Sequence, residues 1–354
     1  MMQPRIQVEF PIGYRRAFRK KSPVYQPKAG EFLLNHNRSG LLIALRALQL
    51  SPGSEVGVMA YNCHTVMNAV EQAGYKVVFI DVTMDLTMDL DDLRRKGQGL
   101  SALVVTHLFG IANDVDAIRL ACPGIPVIED CAHAYGMDSC GSKGDFASYS
   151  IGVGKYPSIG DGGILKVNNL GYMGAIERQL AQIQCYSWMQ ESRLFMKLVV
   201  SHWLYRPVLY SIVTLPLLKR GNRKVASAKE NILPLKMSAG ISAIYERVLP
   251  KIEAQLRCRQ AVAESWAVYF SNREDCHSIN LDLRNSNCFM FPLYCESPVR
   301  LKKEMRSHGV EAETHFRHCI EWCKAYGYRD GECPQTEHLV NHLLMIPTYK
   351  EMKL

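Results

Sequence analysis

From residue 55 to residue 130 short apolar runs alternate with amphipathic stretches, and this alternation restricts the fold more than any other feature. EVGVMA, KVVFIDV, LSALVVTHLFG and IPVIED read as strands, while YNCHTVMNAVEQAG, DLTMDLDDLRRK and NDVDAIRLACPG between them read as loops that run into helices. Strands separated by helices build βαβ units, so the expected class is α/β, a mostly parallel sheet flanked by helices. Ligands of such sheets gather at the carboxyl ends of strands, which makes Asp130, the last residue of IPVIED, a candidate. Ahead of the first of these strands, Leu41, Leu42, Leu45 and Leu48 recur at helical spacing, Ser39 stands in the cap region, and Pro52 and Gly53 end the helix. A helix start preceded by small polar residues offers free N–H groups and the positive end of the helix dipole to a phosphate.

At 354 residues and 47% hydrophobic the chain can bury a sizeable core or two lobes. Its formal charge of +8 is spread along the sequence, which argues against a nucleic-acid surface and suits an anionic substrate. The 12 cysteines show no paired CxxC spacing, so no zinc or other metal site is expected. The first 18 residues lack an apolar core long enough for a secretory leader, and the expectation is a reducing cytoplasm with free thiols.

Residues 127–166 read VIEDCAHAYGMDSCGSKGDFASYSIGVGKYPSIGDGGILK. An apolar run ends in Glu129 and Asp130; after a turn-rich link come FASYSIGVG, Lys155 and the glycines 160, 162 and 163. Each part suits pyridoxal 5'-phosphate. A lysine amine can form a Schiff base with its aldehyde, an acidic residue at a strand end can keep its pyridine nitrogen protonated, and hydroxyls such as those of Ser148 and Ser150 can hold its phosphate. Read singly, a lysine beside glycines is usually a solvated loop residue, and ED after an apolar run is usually a strand end with a capping aspartate.

The order and spacing of EDCAHAYG and GDFASYSIGVGKYPSIGDGG resemble the DegT/DnrJ/EryC1/StrS family of sugar aminotransferases, whose members show an EDAAQAHG-like segment followed by GDxxxFSFxxxKxxxxGxGG. The resemblance implies an aspartate-aminotransferase-like fold, with a large cofactor domain at 1–235 and a smaller C-terminal αβ lobe at 236–354. It implies Lys155 as the catalytic lysine and proton carrier, Asp130 on the pyridine nitrogen, His133 on the ring hydroxyl, and Ser150 with the 37–40 turn on the phosphate. At that turn the family's SGTxALxxAL becomes Asn37-Arg38-Ser39-Gly40, so Arg38 replaces the usual threonine. Cys63 stands where the family places a ring-covering residue, a part that Tyr61 or His64 would have to take. Lys236 stands for the arginine of NYRMS, and Pro234 for its asparagine, two residues that in the family reach the partner subunit's cofactor. His315, in THFRH, matches the substrate-facing histidine.

The implied reaction is transfer of an amino group from glutamate or glutamine to a nucleotide-linked keto sugar by a homodimer. The alternatives are a keto-inositol (aminocyclitol) acceptor and a relative that binds the cofactor or sugar nucleotide without turnover. Residues 171–233 diverge from the family. Within them 194–218 are notably apolar but interrupted by Lys197, His202, Arg206 and Pro207, which predicts a buried helical hairpin, and Trp203, Tyr205 and Arg206 would also suit peripheral contact with a membrane. Residues 235–270 carry one long amphipathic helical pattern, and a closing helix is expected over ECPQTEHLVNHLL. The basic segment 1–30 is expected to be an arm on a neighbour or a loosely held terminus.

Overall fold

The computed structural model describes residues 11, 13, 14, 17, 25–217, 229–279 and 282–349, so most of the basic arm expected at 1–30 lies outside the described residues. Seven strands form the main sheet: β1 (Glu31–Leu34), β2 (Glu55–Met59), β3 (Lys76–Ile80), β4 (Leu100–Thr106), β5 (Val127–Cys131), β6 (Phe146–Ser150) and β7 (Gly163–Val167), in the order β1-β7-β6-β5-β4-β2-β3. Strands β2 to β6 pair in parallel, and β7 runs antiparallel to both β6 and β1. Their side chains alternate between two apolar layers, as a pleated strand requires. Val56, Val58, Val104 and Ile128 pack on one face with the helices Asn37–Ala47 and His64–Gln72. Met59, Leu103, Val105 and Val127 pack on the other with the helix Val115–Ala121. With both faces covered, the central strands read as continuous apolar runs.

The same period of two separates the neighbouring carboxylates of β5. Asp130 follows Ile128 onto the face of helix Asn37–Ala47, and Glu129 follows Val127 onto the opposite face.

A second, antiparallel sheet, β8 (Cys276–Ser278), β9 (Phe291–Cys295) and β10 (Leu343–Ile346) in the order β10-β9-β8, carries its own core with Trp266, Phe270, Leu301 and Met305. Three expected elements differ. The long helix over 235–270 is two helices, Ala239–Val248 and Ile252–Phe270, separated at Leu249–Lys251 where Pro250 removes a backbone donor. The first packs with Ile164 of β7 and with Ile151 and Ile159 of the loop between β6 and β7, and the second enters the small lobe. The closing helix stops at His342, and Leu343 onward pairs with β9 as β10. The apolar stretch becomes a helix, Trp188–Leu204, begun by a Ser187–Gln190 capping box and ended before Pro207, followed by further helix over 207–217. It is buried on one side only, with Trp188, Met196, Trp203 and Ile212 exposed. Among the described residues no helix is long and apolar enough to cross a membrane. All twelve cysteines are free.

Candidate active site

The helix Asn37–Ala47 lies across β6 and β7 so closely that two positions admit only glycine. A Cβ at Gly40 would stand 2.4 Å from Ser148 Oγ, and one at Gly163 would stand 2.3 Å from the carbonyl carbon of His36 and 2.5 Å from Asn37 N. This approach brings the helix start to the carboxyl end of β5. Ser148 Oγ donates to the Asn37 carbonyl at 3.1 Å, and Asn37 Nδ2 donates to Asp130 Oδ1 at 2.9 Å.

Asp130 is 2% exposed. Besides Asn37 it accepts the Ala132 N–H at 3.1 Å and the Thr106 hydroxyl at 3.2 Å, and Thr106 in turn accepts from Asn62 Nδ2 at 2.8 Å. Burial pushes the Asp130 carboxyl above its ordinary range, opposed by the Asn37 bond, the charge of Lys155 and the remaining donors. Three neutral donors leave an ionised carboxylate room for one more.

Lys155 follows β6 by five residues, and its Nζ lies 2.8 Å from His133 Nε2. The His133 ring is stacked between Phe109 (centroids 5.1 Å apart, 26°) and Phe289 (4.5 Å, 15°), so its plane is fixed from both lobes. The Phe109 N–H points at His133 Nδ1 at 3.3 Å, which makes Nδ1 the acceptor and leaves the ring proton on Nε2, facing the lysine. Lys155 Nζ, in its neutral form, is placed to accept that N–H on its lone pair. The electrostatics agree. Burial holds the Lys155 amine below its ordinary range, against the charges of Cys63 and Asp130, and burial with the charges of Lys155 and His315 holds the His133 ring well below its own. A buried amine held below its ordinary range, within electrostatic reach of a buried carboxylate, can act in its neutral form as a nucleophile and a proton carrier.

His315 completes this wall, 5.8 Å from the His133 ring and 5.2 Å from Phe109, and its carbonyl accepts the Tyr61 hydroxyl at 2.6 Å. Cys63 caps the helix His64–Gln72, and its sulfur accepts from Thr65 Oγ1 at 3.2 Å. Burial raises its thiol, but the bond and charge from His64 prevail and bring it below the ordinary range. Ser150 is buried at the end of β6, its Oγ facing the Gly152 N–H at 3.5 Å. Arg38, in the first turn of helix Asn37–Ala47, is directed at Glu230, 3.9 Å away.

One expected role changes. The helix begins at Asn37 with His36 at the cap, and Ser39 is fully buried with its hydroxyl on Asn35 Oδ1 at 2.7 Å, so that hydroxyl is turned into the core and away from any phosphate. Lys236 touches none of Lys155, His133 and Asp130; it is exposed on a groove of about 1020 Å³ with Phe32, Cys185 and Trp188. Sequence reasoning did not single out Asn37 for Asp130, nor Thr106, Phe109 and Phe289. Glu129, the other half of the ED pair, holds a loop: it accepts the N–H groups of Gly141 at 2.7 Å, Lys143 at 2.9 Å and Gly144 at 2.6 Å, and a proton from His107 Nε2 at 2.9 Å. His107 takes the Asn113 N–H on Nδ1, which assigns that tautomer. Cys131 lies within 4.8 Å of this pair, but the four donors already fill the carboxylate.

With this geometry in place, comparison with known proteins decides the family. Its sequence profile matches residues 34–201 and 215–354. The chain belongs to the DegT/DnrJ/EryC1/StrS aminotransferase family. Among relatives in the family, the GDP-perosamine synthase of Vibrio cholerae is 31% identical over 137 residues, which span only 36% of this chain and 37% of that protein. The dTDP-3-amino-3,4,6-trideoxy-alpha-D-glucose transaminase of Micromonospora megalomicea is 22% identical over 340 residues, 90% of this chain and 80% of that one. The fold matches the aminotransferase TlmJ of Streptoalloteichus hindustanus with a TM-score of 0.75 at 20% identity, covering 100% of this chain and 95% of that one.

The residues present fit the family's cofactor. The pyridine N–H would take the open position on Asp130, and Oδ1 of the adjoining Asn37 amide is buried without a hydrogen-bond partner.

Proposed function

We propose that this chain is a pyridoxal-phosphate-dependent aminotransferase that moves an amino group from glutamate or glutamine to the keto group of a nucleotide-linked sugar. The observation that carries the reading is the 2.8 Å approach of Lys155 Nζ to His133 Nε2 beside the buried Asp130, on the carboxyl ends of β5 and β6. When bound, the cofactor supplies an aldehyde and a ring that takes up electrons. Asp130 would hold the ring nitrogen protonated, His133 Nε2–H would donate to the ring hydroxyl, and Ser150 with the N–H groups that open helix Asn37–Ala47 would take the phosphate. Lys155 would hold the cofactor's aldehyde and would serve as the proton carrier of the exchange, a task for an amine whose pKa burial has lowered. His315 faces the same space and orients the sugar.

The sugar class rests on relatives named for amino-sugar nucleotides, including the UDP-N-acetyl-3-dehydro-alpha-D-glucosamine 3-aminotransferase of Acidithiobacillus ferrooxidans, 33% identical over 134 residues. The exposure of Lys236, a position that in the family serves a neighbouring subunit, supports a homodimer, and the free cysteines suit a reducing cytoplasm. The test is spectroscopic. The purified chain should take up pyridoxal phosphate with visible absorbance that bleaches on addition of glutamate or glutamine and returns with a keto sugar nucleotide. Lys155→Ala should abolish the absorbance change. An unchanged spectrum in Lys155→Ala, or indifference to every donor, overturns the proposal.

A further inference from the structure

The helix Trp188–Leu204 and the helical residues 207–217 lie outside the catalytic argument, and their two sides differ sharply. The inner side is fixed. Leu194 and Leu198 pack with Ile151 and Ile159, Leu198 fills the space a side chain at Gly160 would need, and Ser238 Oγ donates to Glu191 at 2.7 Å. The outer side bears Met189, Met196, Val200 and Trp203 at helical spacing, continued by Val208, Leu209 and Ile212; Trp188 is 73% exposed, Trp203 53% and Ile212 71%. An apolar strip of this extent on an otherwise polar surface marks an interaction site.

Its charge identifies the partner. Arg193, Lys197 and Arg206 are exposed among these apolar residues, and residues 192–217 contain no aspartate or glutamate. A second copy docked with its two-fold axis through this strip would set these cations against their own counterparts. An anionic lipid surface satisfies both halves, since tryptophans and aliphatic side chains enter the headgroup boundary while lysine and arginine stay at the phosphates. We propose that residues 188–217 form an interfacial anchor that seats the protein on anionic bilayers. The inner side of the anchor backs the loop that carries Lys155, so the active site would work close to the membrane.

The full chain, loaded with pyridoxal phosphate, is to be sedimented with vesicles of phosphatidylcholine alone and of phosphatidylcholine with phosphatidylglycerol. Binding is expected to the anionic vesicles, with a blue shift of tryptophan emission, and to weaken with salt. Arg193→Gln with Lys197→Gln should weaken it by about fivefold per charge removed, and Met196→Glu with Ile212→Glu should abolish it, with thermal unfolding and sedimentation velocity of the free variants unchanged. Two results overturn the proposal. One is the absence of sedimentation with anionic vesicles at low ionic strength. The other is dissociation of an oligomer by Met196→Glu with Ile212→Glu, which would give the strip to a second copy. If the glutamate pair fails to fold, the glutamine pair alone decides, because exposed basic residues can be neutralised without loss of core.

Discussion

Replacing Asn37 by alanine tests the centre of the site without touching Lys155. Asn37 Nδ2 donates to Asp130 Oδ1 at 2.9 Å, and of the influences that oppose the burial of Asp130 it is the strongest. A hydrogen bond to a charged group is worth about 1.5–3 kcal/mol, which corresponds to roughly tenfold to a hundredfold in any equilibrium that requires the carboxylate. The sign follows from the direction of the shift. Burial already raises the Asp130 carboxyl, and removal of Asn37 raises it further, so Asp130 in Asn37→Ala takes a proton at a higher pH than in the parent. Pyridoxal phosphate affinity, measured by equilibrium dialysis across pH, should therefore be lower in the variant, with a deficit that widens as pH falls and narrows as pH rises. Thr106→Val removes a longer bond of 3.2 Å and should show the same trend in smaller measure. An affinity within twofold of the parent at every pH, or a deficit that ignores pH, would refute the assignment of Asn37 as the support of Asp130.

Other outcomes follow from the same geometry. His133→Gln can still present an N–H toward the ring hydroxyl and should keep turnover within about tenfold, whereas His133→Phe preserves the stacking with Phe109 and Phe289 but removes that N–H and should lose roughly tenfold to a hundredfold in kcat, the worth of a hydrogen bond to a charged group. Glu129→Gln leaves His107 or a loop N–H unpaired at a fully buried position and should cost about 3 kcal/mol in denaturant unfolding. Burial alone would raise the Glu129 carboxyl, but the His107 bond and the N–H groups of Gly144 and Gly141 bring it below its ordinary value of 4.5. Its contribution is thus complete above that pH and is lost as pH falls below it, so the gap between parent and Glu129→Gln should close in acid. Gly163→Ala forces a Cβ to within 2.3 Å of the His36 backbone and should destabilise by about 1–3 kcal/mol while weakening cofactor affinity; unchanged affinity would separate the helix start from the site.

What the sequence disclosed was what neighbours in the chain decide. Lys155, His133, Asp130 and Ser150 all lie at the end of β5, at the end of β6 or in the loops that leave them, so one stretch of text carried them together. The strand period even tells which carboxylate of the ED pair can share a face with the helix Asn37–Ala47, because Glu129 must point the other way. The contacts that complete the site join distant positions. Asn37 and Asp130 are 93 residues apart, and Asn287 Nδ2, which donates to the carbonyls of His133 and Tyr135, belongs to the small lobe. No periodicity encodes such pairs. The boundary between helix Pro334–His342 and β10 was hidden because LVNHLLMI has no glycine or proline between its two conformations. The one long-range signal in the text was the glycines. Gly40 and Gly163 are 123 positions apart, yet each lacks a side chain for the same reason, the seating of one helix start on β6 and β7. In the sequence they stood in a phosphate turn and in a glycine cluster after Lys155. In the structure they fix how far Asn37 can reach, and hence how firmly Asp130 can hold its charge.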